Sequence, residues 1–261
     1  AGLGSLTSVF GRLARARAGA ERVGAVLSLD PMPYGDEVLP AGPGRLEFRD
    51  VSVDSLLTGV SFAVPGGAVA AVVGRSGAGK SVLAGVAARL RDPSSGVVLL
   101  DGVPLTALSH DELRSAVGCA FERPYLVGAT VGAAIGAGGE EAARATYAHE
   151  FVTRLPEGYD TALVDAPMSG GELQRLGLAR SWPATRLLVL DDATSSVDMV
   201  TEMRISAAMT DAGDRTRLVV THRLSTAAQA DLVVWLENGR VRAVGPHEEL
   251  WRQDDYRGVF G

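Results

Sequence analysis

The sequence predicts an α/β fold with a central sheet of parallel strands. Residues 68–73 form an uninterrupted apolar run, and residues 186–190 are apolar after Arg186; both are typical of strands that are buried on both faces of a sheet. Helical segments alternate with strands along the chain, which is the pattern of folds whose helices connect parallel strands. Two dipeptides, Asp101-Gly102 and Asn238-Gly239, indicate tight turns after short strands. At 261 residues, the chain can bury a substantial core.

The first 44 residues form a helix and a linker in this prediction. Residues 2–29 are amphipathic, because apolar side chains recur at steps of three and four. That stripe consists of Leu6, Val9, Phe10, Leu13, Ala16, Ala20, Val23 and Leu27. Residues 31–44 contain four prolines and three glycines, which is a linker composition. The helix is either an ordinary packing helix or the end of a longer helix that continues before residue 1.

The remaining elements follow from residue 45 onward. Strands are predicted at residues 46–53, 60–64, 68–73, 96–100, 186–190, 218–221, 232–236 and 240–244. Helices are predicted at residues 81–90, 108–117, 140–155 and 171–181. The chain contains no internal repeat and no low-complexity segment.

Charge and cysteine content narrow the function classes. The formal net charge is −6, without a run of like charges, so we expect no nucleic-acid partner. A single cysteine, Cys119, cannot form an internal disulfide, which favours a reducing cytoplasmic setting. We find no signal peptide and no apolar stretch near the ~18 residues of a membrane span. The domain is therefore expected to be soluble by itself, with any membrane role supplied by an attached segment.

A glycine-rich segment after the strand at 68–73 predicts a phosphate-binding loop. It matches the Walker A pattern G-x-x-x-x-G-K-[ST] in full and precedes a helix, which is the context that the motif requires. Its lysine, Lys80, is the only lysine among 25 basic residues, and the other 24 are arginines. A compact ammonium fits between phosphate oxygens better than a planar guanidinium does. The predicted nucleotide-binding residues are Gly74, Arg75, Ser76, Gly77, Ala78, Gly79, Lys80 and Ser81.

A second apolar strand ends in two acids, Asp191 and Asp192. The first carboxylate suits a Mg²⁺ ion, because that metal prefers oxygen ligands, and the Ser81 hydroxyl would occupy another Mg²⁺ position. Many buried strands end in Asp, so this Walker B pattern is weak alone. About 110 residues after a Walker A loop, and with the motifs below, it becomes a strong prediction.

Between the two Walker motifs lies Met168-Ser169-Gly170-Gly171-Glu172, and this order resembles ABC ATPases, whose signature is commonly written LSGGQ. Further along, residues 193–198 resemble the D-loop of the family, with Ser196 and Asp198, and residues 219–224 resemble the strand of its switch histidine, His222. Residues 245–250 resemble its C-terminal G-x-H-x-E-L element. The segment at 155–161 is especially similar to exporter-type ABC proteins. The resemblance extends from about Leu46 to the C-terminus.

The resemblance implies a P-loop NTPase (RecA-like) core with an antiparallel β subdomain and a helical signature subdomain at roughly 122–181. Residues 1–44 would be the end of a transmembrane-domain helix plus a linker, and residues 45–261 the ATP-binding domain. The family binds ATP and Mg²⁺ in a head-to-tail dimer, with each ATP between the Walker A loop of one domain and the signature of the other. The ligands would then be ATP and Mg²⁺, and the partners a second ABC domain and a transmembrane domain fused N-terminally. The expected location is the cytoplasmic face of the plasma membrane, and the arginine bias suggests a GC-rich bacterium.

Four positions depart from the family pattern. Asp192 stands where the family usually has the catalytic Glu, so its carboxylate is one methylene shorter, and we expect weak hydrolysis. Glu122 occupies the position of the Q-loop glutamine, where it is predicted to be on the metal side. Glu172 ends the signature, and with Ser169 it also forms a capping-box pattern at a helix start. Finally, no aromatic residue lies between Arg49 and Ser61, where the family usually has one that stacks on adenine.

Three of these departures, Asp192, Glu122 and the missing aromatic residue, favour the degenerate half of a heterodimeric exporter. Such a chain would bind Mg-ATP, hydrolyse it slowly at its own site with Asp192, His222 and Lys80, and complete the site of a partner through its signature. A homodimer remains the alternative pairing. A regulatory, non-transport ABC module is the rival function, although this chain has neither a coiled-coil insertion nor tandem cassettes. A small-molecule kinase on a P-loop fold does not account for Ser169-Gly170-Gly171.

Overall fold

A computed structural model describes residues 2–136, 138–211 and 215–260, with the side chains of residues 2–9 and 210–211 outside that description. The chain divides into two compact units between Tyr34 and Gly35. In the first unit, helix α1 spans Gly2–Leu27. The side chains of Phe10, Leu13 and Val23 on its predicted stripe are exposed, and those of Leu6 and Val9 lie outside the described residues. Among the described residues, no helix has the length and apolarity needed to cross a membrane.

The second unit contains an antiparallel sheet of four strands. They are β1 (Leu46–Val53), β2 (Leu57–Val64), β4 (Ser95–Leu100) and β5 (Val103–Pro104), in the order β2-β1-β4-β5. Alternate side chains of β1 are buried, and Phe48 stacks on Phe62 of β2 with ring centroids 4.7 Å apart. This sheet is the predicted antiparallel subdomain.

A second sheet of six strands forms the predicted parallel core. Its strands are β3 (Val69–Val73), β6 (Val117–Phe121), β7 (Leu187–Asp191), β8 (Thr216–Val220), β9 (Leu232–Glu237) and β10 (Arg240–Gly245). The order is β10-β9-β3-β8-β7-β6, and every neighbouring pair is parallel except β9 with β10. Because parallel strands end at the same edge, the loops after β3, β6, β7 and β8 lie together.

Helices connect and cover these strands. The described helices of this unit are α2 (Lys80–Ala87), α3 (His110–Ala116), α4 (Val131–Ile135), α5 (Gly139–Ala145), α6 (His149–Val152), α7 (Gly170–Ser181), α8 (Met199–Asp211), α9 (Leu224–Gln229), α10 (His247–Leu250) and α11 (Asp254–Arg257). Helices α4 to α7 share a buried apolar cluster that includes Val131, Phe151 and Leu176. The prediction of a helical subdomain at roughly 122–181 corresponds to this cluster.

Three sequence predictions differ from the structure. Residues 35–44 of the predicted linker belong to the second unit, where the backbone N–H groups of Leu39 and Gly44 donate to Glu112 and Asp101. The helix at 140–155 is broken into α5 and α6 at Tyr147, whose φ of 56° cannot continue a helix. Strand β6 was not predicted, and the helix expected to reach residue 117 ends at Ala116.

Several further elements have no counterpart in the sequence prediction. These are β5, α4, α8, α9, α10 and α11. Strand β6 contains Gly118 and Cys119, which weaken its strand pattern. At Gly118, an added Cβ would lie 2.4 Å from the carbonyl oxygen of Ser181 at the end of α7, so close packing explains the glycine.

Candidate functional site

The predicted phosphate-binding loop joins β3 to α2 with the backbone geometry that its glycines permit. Gly74 has a φ of 155°, and an added Cβ would lie 2.3 Å from the carbonyl oxygen of Leu236. Gly79 has a φ of 98° and directly precedes α2, where an added Cβ would lie 2.7 Å from Leu57. The side chains of Arg75 and Ser76 are exposed. The loop therefore presents its backbone between a buried strand and a helix N-terminus, an arrangement that binds phosphates.

Lys80 is buried beneath this loop. Its ammonium donates to the carbonyl oxygens of Gly74 at 2.8 Å and Arg75 at 3.1 Å. Burial lowers the pKa of Lys80, while the negative charges of Asp192 and Asp191 oppose that shift. The ammonium thus lies between the loop that would hold the phosphates and the two acids after β7.

Ser81 and Asp191 place oxygen atoms beside Lys80. Asp191 ends β7, accepts a hydrogen bond from the Ser81 side chain and is 9% exposed. Burial raises the pKa of Asp191, and the charge of Glu122 acts in the same direction. Within the described residues, no cluster of three His, Cys, Asp or Glu could hold a metal by itself. The oxygens of Ser81, Asp191 and Glu122 fit Mg²⁺, which usually completes its shell with water and phosphate oxygens.

Asp192 and His222 face each other after neighbouring strands. Asp192 Oδ2 lies 3.5 Å from His222 Nε2. The backbone of Asp192 has a φ of 48°, a region that Asp enters more readily than most residues, and its N–H donates to Val220 of β8. Burial raises the pKa of Asp192, and the neighbouring His222 lowers it. A carboxylate with a raised pKa beside an imidazole can accept a proton and hold an attacking water.

The predicted signature forms the N-terminus of α7. Ser169 is the N-cap, and the predicted capping box is present: Glu172 N donates to Ser169 Oγ at 3.3 Å, and Ser169 N donates to Glu172 Oε2 at 2.8 Å. The hydrogen bond from the Ser169 backbone lowers the pKa of Glu172. The exchange of Gln for Glu at this position therefore preserves the helix start.

The signature and the D-loop line one cavity of about 530 Å³. Its walls are Ser169, Gly170, Gly171, Arg175, Ser196, Val197 and Asp198. The two segments touch closely, because a Cβ on Gly171 would lie 2.8 Å from the Ser196 carbonyl oxygen. Asp198 caps α8 by accepting from Thr201 N at 3.0 Å, which lowers its pKa. No residue of the Walker A loop lines this cavity, so the structure places the two predicted phosphate contacts in separate sites.

The segment without an aromatic residue is a tight turn against the Walker A loop. Val53 pairs with Leu57, and the N–H of Leu56 donates to the carbonyl oxygen of Val53 at 2.8 Å. The carbonyl oxygen of Leu56 would lie 3.0 Å from a Cβ on Gly79. The side chain of Leu56 is 46% exposed. An exposed leucine thus lies beside the Walker A loop.

Comparison with known proteins establishes the family. Residues 57–195, which contain both Walker motifs and the signature, match the family model described as ABC transporter. This chain belongs to the ABC transporter family. The resemblance predicted from the motifs is confirmed, and so is the ATPase fold of this ABC domain.

The similar proteins include an ATP-dependent flippase and an ABC exporter. The chain is 51% identical to the ABC transporter ATP-binding protein RamA of Streptomyces coelicolor, across all of this chain and 43% of that protein. It is 35% identical to an ATP-dependent lipid A-core flippase of Haemophilus influenzae, across 97% of this chain and 46% of that protein. A bacterial Atm1-family ABC exporter solved with ATP bound superposes with a TM-score of 0.81 and 30% identity, across 98% of this chain and 48% of that one. The chain therefore spans less than half the length of these relatives.

Two side chains of this ABC domain that connect its motifs were missed by sequence reasoning. Gln174 on α7 is 1% exposed and hydrogen bonds to the loops of Glu122 and Ser196. Arg223, next to His222, pairs with Glu202 and donates to the Thr194 carbonyl oxygen at 3.2 Å. The position of Gln174 in the sequence could have indicated its role. It precedes Leu178 by one helical turn and so lies on the buried face of α7, where a polar side chain needs hydrogen-bond partners.

Proposed function

We propose that this chain is the motor domain of an exporter-type ABC transporter, which binds and hydrolyses Mg-ATP at residues 74–81 to drive translocation. The observation that supports this most is the convergence of Lys80, Asp191, Asp192 and His222 at one edge of the parallel sheet. Phosphoryl transfer depends almost entirely on positioning and electrostatic stabilisation, and these groups supply both. The exporter names of the relatives favour transport over a regulatory, non-transport module.

The residues have distinct roles in this proposal. The loop N–H groups and Lys80 would hold the β- and γ-phosphates, and Ser81, Asp191 and Glu122 would hold the Mg²⁺, which would neutralise phosphate charge. A water oxygen bonds to the γ-phosphorus as the bond to the bridging oxygen breaks, and ADP leaves. Asp192 takes the proton of that water, and His222 orients Asp192 and the γ-phosphate.

The proposal includes a head-to-tail dimer, because one chain holds only half of each ATP site. The signature cavity is lined by Ser169 and Gly171 and contains no Walker A residue, so a γ-phosphate bound there would come from a second domain. The N-terminus of α7 would contribute its N–H groups and dipole to that phosphate. We propose that the second domain belongs to a different chain, since Asp192 weakens this chain's own site. Co-purification of differently tagged copies tests this: efficient pairing of identical chains would argue for a homodimer.

The attached parts of the protein follow from the same proposal. A transmembrane domain fused before residue 1 would receive the motion of the ATP-binding domains, with this chain on the cytoplasmic face of the membrane. Helix α1 would then continue the last membrane helix. The proposed roles of Glu122 in metal binding and of Ser196 and Asp198 at the dimer contact belong to this scheme.

Substitution of Lys80 tests the proposed ATP site. We expect Lys80→Ala in the full-length protein to abolish phosphate release, and Lys80→Arg to reduce it by at least about tenfold, because a guanidinium cannot fill the buried position of an ammonium. Arg91→Lys, on an exposed position outside the site, is the matched control. Unchanged turnover of the Lys80→Ala protein would overturn the proposal.

A further inference from the structure

Gln174 is a buried amide that connects two loops of the candidate site. Its side chain lies on α7, two residues after the signature, and is 1% exposed. The Nε2 group donates to the carbonyl oxygen of Glu122 at 2.8 Å and to Ser195 Oγ at 2.8 Å. The Oε1 atom accepts from the backbone N–H of Ser196 at 2.8 Å. Both amide protons and the amide oxygen are therefore used, and each bond leaves α7.

One of the two loops that Gln174 joins contains Glu122, and the other directly follows Asp192. Glu122 directly follows β6, and the Ser195-Ser196 turn follows Asp192, whose carbonyl oxygen accepts from Ser195 N at 3.1 Å. Phe121, which precedes Glu122, pairs with Asp191 across β6 and β7, so the three acidic residues lie at the ends of neighbouring strands. Such groups repel one another, and their separation has to be fixed by something other than their mutual contacts.

Burial makes Gln174 suited to fixing that separation. A buried amide whose hydrogen bonds are all made resists displacement, because breaking one bond leaves a buried polar group unsatisfied. Gly171, one turn earlier on α7, lets the helix approach the Ser196 carbonyl oxygen and keeps the same turn against α7. The spacing between the Glu122 loop and the Asp192 turn is thus set through α7.

We propose that Gln174 is a positioning residue for the metal side of the ATP site: it holds the loop of Glu122 at a fixed distance from the turn that follows Asp192. This inference rests on the proposed function, since it assigns to Gln174 the placement of a Mg²⁺ ligand for hydrolysis. Residues that hydrogen bond to metal ligands and orient them typically contribute about 10- to 100-fold to metal affinity or activity, and we expect an effect of that order for Gln174.

The test compares ATP affinity with and without Mg²⁺ in the full-length protein. Gln174→Met keeps the length and burial of the side chain and removes all three hydrogen bonds. Gln174→Glu keeps the acceptor for Ser196 N but places an oxygen against the Glu122 carbonyl. Ser195→Ala removes one bond and leaves the link to Glu122 intact. Gln253→Met, an exposed glutamine, is the matched control.

Gln174→Met and Gln174→Glu are expected to weaken Mg²⁺-dependent ATP binding by about tenfold or more, with affinity for metal-free ATP within about twofold of wild type. Ser195→Ala and Gln253→Met are expected to stay within about threefold in both measurements. Equal losses with and without Mg²⁺, or a loss that only follows the folded fraction seen by circular dichroism, would overturn the proposal. The proposed function would fail if the wild-type protein neither bound ATP nor released phosphate. The inference about Gln174 would fail if the wild-type protein did both and the Gln174 variants showed no loss specific to Mg²⁺.

Discussion

Asp192 Oδ2 lies 3.5 Å from His222 Nε2, at the ends of two neighbouring parallel strands, β7 and β8. Both side chains are partly open to solvent, His222 at 53% and Asp192 at 26%. The pair is therefore held by the sheet instead of by burial in the core. A carboxylate that can accept a proton and an imidazole that can orient it therefore lie side by side, and the proposed function places the γ-phosphate next to them.

His222→Ala is expected to reduce phosphate release by about 10²-fold, because His222 orients Asp192 and the γ-phosphate in the proposed function and a misplacement of about 1 Å can cost about 10²-fold. The affinity for Mg-ATP should remain within about threefold, since the Walker A loop is unchanged. Steady-state turnover and equilibrium ATP binding measure the two effects. His110→Ala, at an exposed histidine outside the site, is the control. Turnover that falls equally in both variants would contradict a role specific to His222.

Leu56→Tyr is expected to tighten ATP binding by about tenfold. The turn that contains Leu56 lies against Gly79 of the Walker A loop, and stacking on a base is worth about 1–3 kcal/mol. Isothermal titration with ATP measures the gain, and inorganic triphosphate, which has no base, serves as the control ligand. An equal gain for both ligands, or no gain for ATP, would show that the turn does not contact the base.

Gly171→Ala is expected to destabilise the folded protein by about 1–3 kcal/mol, the usual cost of forcing an extra group into a packed site. The new Cβ would lie 2.8 Å from the backbone oxygen of Ser196, which has to move. Gly170→Ala is the matched control, because its Cβ would meet Ser196 at an ordinary 3.8 Å. Denaturant unfolding of both variants measures the difference, and similar midpoints would contradict the close packing of α7 on the D-loop.

Glu172→Gln should alter the pH dependence of stability while preserving the capping box. The hydrogen bond from Ser169 lowers the pKa of Glu172 in the folded protein, so the ionised carboxylate stabilises the fold above the ordinary value of about 4.3. That contribution is lost as the pH falls through the lowered pKa. We expect wild type to exceed Glu172→Gln by about 0.5 kcal/mol at pH 7 and the difference to shrink below about pH 4. Unfolding curves at both pH values test this, and a constant difference would contradict it.

The sequence predicts those parts of the fold in which a few neighbouring residues determine the backbone conformation. The Walker A loop was predicted because Gly74 and Gly79 occupy positions where backbone contacts exclude a side chain, so geometry and motif coincide. The turn at Asn238-Gly239 was predicted because Asn and Gly adopt positive φ values more readily than other residues, and both have positive φ values here. The capping box of Ser169 and Glu172 is likewise a local device, and it is present as predicted.

Other features depend on contacts that a local pattern does not contain. Strand β6 was missed because Gly118 is required by the approach of α7, which lies some 60 residues later in the chain. Gln174 was missed because its three partners come from loops at Glu122, Ser195 and Ser196. The break at Tyr147 arises where α5 ends and the chain turns into α6, and nothing in the apolar spacing of residues 140–155 indicates it.

The most direct test of a nucleotide site with weak hydrolysis is phosphate release by the full-length protein and its Asp192→Glu variant under single-turnover conditions. A misplacement of about 1 Å can cost about 10²-fold in rate, so the longer carboxylate is expected to accelerate release by at least about tenfold. Affinity for Mg-ATP should stay within about twofold, and Asp36→Glu, the same change at an exposed position, should change neither quantity. A wild-type rate equal to that of Asp192→Glu would contradict weak hydrolysis at this site.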